Sequence, residues 1–151
     1  MKTLLNASDR QDLLNRLAKV RPDSQRGWGR MTAPQMICHL NDSFRLMLGE
    51  KYASPDTNLF KRIGLKWLAL WVPVPWAHGF RTRPELDQEI GGTRPGTFEA
   101  DVRDLRDLFD RFCSPATRDF QPHPFFGQLS TAERMRWAYL HIDHHLRQFG
   151  V

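Results

Sequence analysis

Cysteine is scarce in this chain: two in 151 residues, Cys38 and Cys113, far apart and in no C-x-x-C pair. That excludes a disulfide scaffold and fits a reducing compartment. Long apolar runs are also missing. The longest, Leu68 to Trp76, is about half a membrane span and is broken by Pro73 and Pro75. The opening Met1-Lys2-Thr3-Leu4-Leu5-Asn6 turns polar too soon for a secretory signal. A cytoplasmic protein without stable membrane insertion is expected. The net charge is +5 and the calculated pI about 9.7, but no block of five or six like charges occurs. Nucleic acid calls for a concentrated basic face, so it is not an expected partner. There is no G-x-S-x-G, no P-loop and no glycine-rich dinucleotide turn. No repeat, low-complexity tract or second domain interrupts residues 1–151, which read as a single domain.

Four segments carry helical periodicity. The first begins at Ser8 with Gln11 three residues on, a capping-box pair. It continues through Leu13, Leu14, Leu17 and Val20 and stops at Pro22. The second begins at Thr32 with Gln35, carries Met36, Ile37, Leu40, Phe44, Met47 and Leu48, and ends near Gly49. The third begins near Thr97, follows Phe98, Val102, Leu105, Leu108, Phe109 and Phe112, and closes at Pro115. The fourth begins at Ser130 with Glu133 and runs to Gly150. More than forty residues separate helices two and three, long enough for a crossover that leaves them parallel. Within it, Asn58 to Trp71 is expected to form a short helix.

Against this frame the histidines stand out. Three of the six lie within five residues, His141, His144 and His145. His141 and His145 are four apart and share a helical face with Ala138, Ile142 and Phe149; His144 falls about a third of a turn away. His39 lies roughly 10 Å into the second helix at 1.5 Å per residue, while His145 and His141 lie roughly 7–14 Å from the end of the fourth. If those helices are antiparallel neighbours, all three imidazoles reach one level. Three neutral imidazoles make an open site for a divalent transition metal (Zn, Ni or Fe), which lowers the pKa of a bound water or thiol. The alternative is a hydrogen-bonded histidine pair at a helix C-terminus, with His39 a satisfied core residue.

The same residues carry a resemblance. His141-x-x-His144-His145-x-x-Gln148 resembles the fourth-helix signature of the DinB-like superfamily of metal-binding four-helix bundles. Thr32-Ala33-Pro34-Gln35-Met36-Ile37-Cys38-His39-Leu40 resembles its second-helix signature. His123-Pro124-Phe125-Phe126-Gly127 and the ending His144-His145-Leu146-Arg147-Gln148-Phe149-Gly150 look like one branch of that group. The resemblance implies an all-α four-helix bundle, up-down-down-up, with a long crossover between helices two and three. It implies a divalent metal on residues matching His39, His141 and His145. Some relatives transfer a low-molecular-weight thiol to an electrophile, and others isomerise or hydrolyse small molecules. Two functions follow as expectations: a metal-dependent transferase or hydrolase acting on a small molecule, or a non-catalytic metal-binding or dimerising module. A pocket above the metal favours the first and a plugged site the second.

Other residues enter with two readings each. Asp42, three after His39, is a candidate base or imidazole-orienting group, or else a helix-surface carboxylate. Gln148, three after His145, either hydrogen-bonds near the site or is a polar helix end. Cys38 points about 100° from His39 and reads as a small core residue. His123, between prolines, is expected to shape its loop. Trp67, Trp71, Trp76 and Phe80, with Lys61, Arg62 and Lys66, make the crossover aromatic and basic: a lid, a membrane-facing patch, or packing over the apolar ends of the bundle, the reading preferred here. Trp137 is expected in the core or an interface.

Overall fold

In the computed structural model, which describes residues 1–55, 59–117 and 119–151, the chain is all-α. Its elements are α1 (Ala7–Leu17), α2 (Ala33–Met47), α3 (Leu59–Trp71), a 3₁₀ turn at Pro84–Leu86, α4 (Phe98–Cys113) and α5 (Thr131–Gln148). Among the described residues none of the helices is long and apolar enough to cross a membrane.

The two helices that carry the histidines start where their capping boxes place them. Thr32 accepts from the Gln35 backbone N–H while the Gln35 side chain accepts from Thr32, and Ser130 and Glu133 do the same. The first helix differs. Ser8 lies inside α1, and Asn6 is the cap residue, without a side-chain cap bond. The carboxylate of Asp9 instead accepts from Thr3 N and Asn6 Nδ2, each at 3.0 Å, which ties the incoming chain to the first turn. α1 ends at Leu17, five residues short of Pro22, and Val20 is buried from the turn that follows. Asn58, where the sequence places the start of the crossover helix, lies outside the described residues, as do the side chains of Lys61 and Arg62.

α2 is buried nearly all round, which a helix tolerates only when its polar groups find partners. Met36, Ile37, Leu40, Phe44 and Met47 enter one core with Leu105, Leu108, Phe109 and Phe112 of α4. The Phe44 ring meets Phe112 edge-on at 4.9 Å. On its polar side Asn41 donates to the Asp101 carbonyl at 3.0 Å. α1 packs on α5 through Leu13, Leu17 and Ile142, and Arg16 bonds Asp143 at 2.7 Å and the Val151 carbonyl at 3.0 Å. Backbone packing pairs α2 with α4 and α1 with α5. α2 and α5 therefore meet mainly through side chains, the histidines among them.

The crossover is only partly packed. Leu70 is fully buried and Arg136 of α5 donates to its carbonyl at 3.2 Å. Trp76 is half-buried and bonds the Ala69 carbonyl at 2.8 Å. Trp67, Trp71 and Phe80, expected to pack over the bundle, are instead 64%, 40% and 60% exposed. The helical stripe of α3 can face inward on one side only, and Leu70 and Ala69 take that side. Lys66 pairs with Glu133 at 2.9 Å.

Candidate metal centre

His39, from the middle of α2, and His141 and His145, from the last two turns of α5, converge on one point. The Nε2 of His141 is 3.2 Å from the Nε2 of His39 and 3.2 Å from that of His145. One ligand nitrogen from each of the three lies within 4.8 Å of the others. Two imidazoles on a tetrahedral ion at about 2.0–2.1 Å stand roughly 3.3 Å apart, so the spacing fits one divalent ion. His144 is on the adjacent face, its ring 5.3 Å from that of His145, and is not one of the converging three.

The outer nitrogens decide what the inner ones carry. His39 Nδ1 lies 2.8 Å from the Leu86 carbonyl, which can only accept, so Nδ1 holds the proton. His145 Nδ1 lies 3.1 Å from Gln148 Oε1. Gln148 is itself oriented, because its Nε2 donates to the Trp28 carbonyl at 2.6 Å. Gly29 makes that approach possible: it holds φ +74°, and a Cβ there would collide with Gln148 Nε2. Both outer nitrogens thus donate, and both Nε2 lone pairs face His141. A single proton on His141 Nε2 cannot serve two acceptors well. Burial lowers the pKa of all three histidines, and their mutual repulsion lowers those of His141 and His145 further. Three imidazoles held toward neutrality, two of them with Nε2 lone pairs fixed toward the third, match the donor set that a divalent cation takes.

The other singled-out residues fall as follows. Gln148 is buried and orients His145, the first of its two readings. Asp42 is fully buried and not a surface carboxylate, and it turns away from the cavity beside the histidines. Its Oδ2 accepts from Gln88 Nε2 at 3.0 Å and Thr93 N at 2.8 Å; its Oδ1 accepts from Thr93 Oγ1 at 2.6 Å and pairs with Lys51 at 3.3 Å. Gln88 and Thr93, which supply three of these four contacts, lie about fifty residues away at the far end of the crossover, so their pull is invisible in the local spacing. It fastens the crossover to α2. Cys38 is buried, its thiol 3.4 Å from Asp101 Oδ2 and pushed up to about 12 by burial and that carboxylate, so it is no nucleophile. Trp137 is core, stacked on His141 with ring centroids 5.3 Å apart.

A cavity of about 320 Å³ opens directly against the three histidines. Its walls are the crossover, through Leu68, Val74, Trp76 and Phe80, and the 123–126 loop. Trp76 lies over His141 and His144, with centroids 6.1 and 6.0 Å away. Sequence reasoning did not find this wall role of the loop; the alternation of proline and aromatic residues around His123 was its only local signal.

Neither the curated proteins nor the solved structures contain a match to this chain. The three histidines, the glutamine behind them and the cavity walls all fall within residues 5–150, the stretch matched by the family model described as "Protein of unknown function (DUF1569)", and the chain belongs to that family.

Proposed function

We propose that this protein is a metal-dependent enzyme that holds one divalent transition metal, Zn, Ni or Fe, on His39, His141 and His145. We further propose that the chain is a DinB-like four-helix bundle, with α1, α2, α4 and α5 ordered up-down-down-up and the long crossover between α2 and α4. The α2–α4 and α1–α5 pairings and the crossover length support that order. One observation carries the metal reading: three neutral imidazoles present Nε2 to one point, and two of them are held there by Nδ1 bonds to Leu86 and Gln148.

Bound there, the ion supplies a Lewis acid that makes a thiol or water nucleophilic near neutral pH. The chain's own residues do the rest. Leu86 and Gln148 fix the tautomers and orientations of His39 and His145. Trp137 and Trp76 flank His141 and limit water at the site. The cavity admits a small electrophile beside the cluster, which favours the enzyme over a binding module, whose site would be filled. The reaction class proposed is transfer of a low-molecular-weight thiol to, or hydrolysis of, that electrophile. No aspartate or glutamate lines the cavity among the described residues, so Asp42 is left out of this chemistry.

Elemental analysis of tag-free protein, with and without added metal, tests the reading. About one ion per chain is expected. Failure of every first-row metal to bind after reconstitution would sink it.

A further inference from the structure

The two nitrogens of His123 have different fates. Nδ1 accepts from the backbone N–H of Phe125 at 3.2 Å and of Phe126 at 3.3 Å. An atom that accepts twice carries no proton, so the proton sits on Nε2. Burial pushes the pKa down to about 3, and the ring stays neutral at any physiological pH. The ring is 7% exposed and lines the cavity. With Nδ1 turned to its own loop, Nε2–H is left for the cavity, and it donates to no described residue. A donor turned into an apolar cavity, on a ring otherwise buried, is placed to take an acceptor from whatever enters.

The donor is also held rigidly. Phe126 stacks on the ring at 4.5 Å and Trp137 meets it edge-on at 4.9 Å. The loop is pinched by paired backbone bonds between His123 and Gly127, 2.8 and 2.7 Å long. Trp137 touches both His123 and His141, and all three line the same cavity, so the donor and the histidine cluster border one space around a shared indole.

The rest of the cavity limits what can lie between them. No Asp, Glu, Lys or Arg lines it among the described residues. Leu68, Val74 and Phe80 line it and are also exposed, so its mouth is apolar. A phosphorylated or otherwise multiply charged molecule would lose hydration there with nothing to replace it. A volume of about 320 Å³ is at the small end of ligand sites.

We infer that His123 is a specificity-determining donor: its Nε2–H takes an acceptor oxygen of an uncharged, largely apolar small molecule whose other end reaches the three histidines. This rests on the cavity being the substrate site proposed above, though not on the identity or presence of the metal.

Benzophenone and 1,1-diphenylethene test it, since they match in shape and differ in an acceptor oxygen against a methylene. Both are titrated into the full chain stripped of metal, followed by NMR. The ketone should bind about three- to tenfold tighter, the value of one neutral hydrogen bond. The ketone alone should shift the His123 Hε2 resonance downfield. In His123→Asn the amide oxygen can still accept from Phe125 and Phe126, but the far N–H is gone. The preference should then fall to about one in a variant shown by circular dichroism to be folded, though less stable for the lost ring packing. Equal binding of the two probes to the natural chain, binding of neither, or a preference that persists in folded His123→Asn would each overturn the inference. If the variant does not fold, the Hε2 shift in the natural chain decides alone. Repeating the titration in His39→Ala separates the two readings. A His123-dependent preference in a chain that binds no metal leaves this inference standing without the metal. Metal binding without the preference does the reverse.

Discussion

Replacing Gln148 separates what holds the histidine cluster from what holds the fold. Gln148→Leu removes the acceptor behind His145 and the donor to the Trp28 carbonyl, two bonds of 3.1 and 2.6 Å in a residue 3% exposed. Without the acceptor, the His145 proton is free to move to Nε2, which costs a metal lone pair. Partners behind a metal-binding histidine are typically worth about 10–100-fold in affinity, or about 1.4–2.7 kcal/mol. The Trp28 carbonyl, left without its donor, costs the fold about 1–3 kcal/mol, a drop of roughly 3–10 °C in melting temperature at this chain length. Gln148→Glu keeps an acceptor for His145 but sets a carboxylate against the Trp28 carbonyl. It should lose as much stability as the leucine variant while zinc affinity stays within about threefold of the natural protein. Zinc affinity by competition with a chromophoric chelator, beside thermal unfolding of the metal-free proteins, reads the two effects separately. Equal zinc affinities in the two variants, whether both retained or both lost, would refute the tautomer argument.

The remaining predictions follow from the same geometry. His39→Ala, His141→Ala and His145→Ala should each abolish zinc binding and His144→Ala should largely spare it; elemental analysis of the four checks this, and equal loss in all would show that the wrong face was chosen. Asp42→Asn should destabilise the protein by about 3–5 kcal/mol, because one oxygen becomes an NH₂ facing donors from Gln88, Thr93 and Lys51. Its zinc stoichiometry at low temperature should be unchanged, and denaturant unfolding with elemental analysis tests both halves. The metal-free protein should lose stability as the pH falls below about 6.5. The unfolded chain then takes up protons that His39, His123, His141 and His145 refuse while folded, their pKa values being lowered by burial. His123 alone, held to about 3, contributes a slope of about 1.4 kcal/mol per pH unit between roughly pH 6 and 4. Urea unfolding across that range should be flatter by that amount in His123→Asn.

Thr32 with Gln35 and Ser130 with Glu133 set the starts of α2 and α5 in the sequence, because a capping box is a local device whose two partners are three residues apart. Fixed starts place His39, His141 and His145 at known depths along their helices, and the 3.6-residue period places the last two on one face. That is why the cluster is legible in the sequence. Its supports were less so. Gln148 lies within one turn of His145, so its role could be named as one of two readings. The Leu86 carbonyl behind His39 and the Gln88 and Thr93 donors around Asp42 come from other segments, and no periodicity reports a contact across forty-odd residues. Asp42 shared a helical side with His39, but position on a helix face says nothing about which neighbour claims a carboxylate. The donors nearest in space decided that.

The cavity was hidden for a related reason. The aromatic crossover and the proline-flanked loop each have a composition that suits packing, and composition cannot distinguish a ring that fills a core from one that borders a space. The distinguishing feature is what the polar atoms do. On the part of α2 away from the cavity, Asn41 donates to the Asp101 carbonyl at 3.0 Å and the Asp42 carboxylate accepts from Gln88 and Thr93, so both side chains are tied to protein partners. Around the cavity the pattern inverts. His39 and His145 spend their outer nitrogens on backbone and amide oxygens, His123 spends its inner one on its own loop, and each turns its remaining nitrogen toward the same space. A core that only needed filling would have no use for three such nitrogens. Apolar side chains there would remove the desolvation cost that now depresses every one of these imidazoles. The chain gives up that stability at one place, against an open cavity of about 320 Å³, and that is the physical argument for reading the place as a site and not as a flaw in packing.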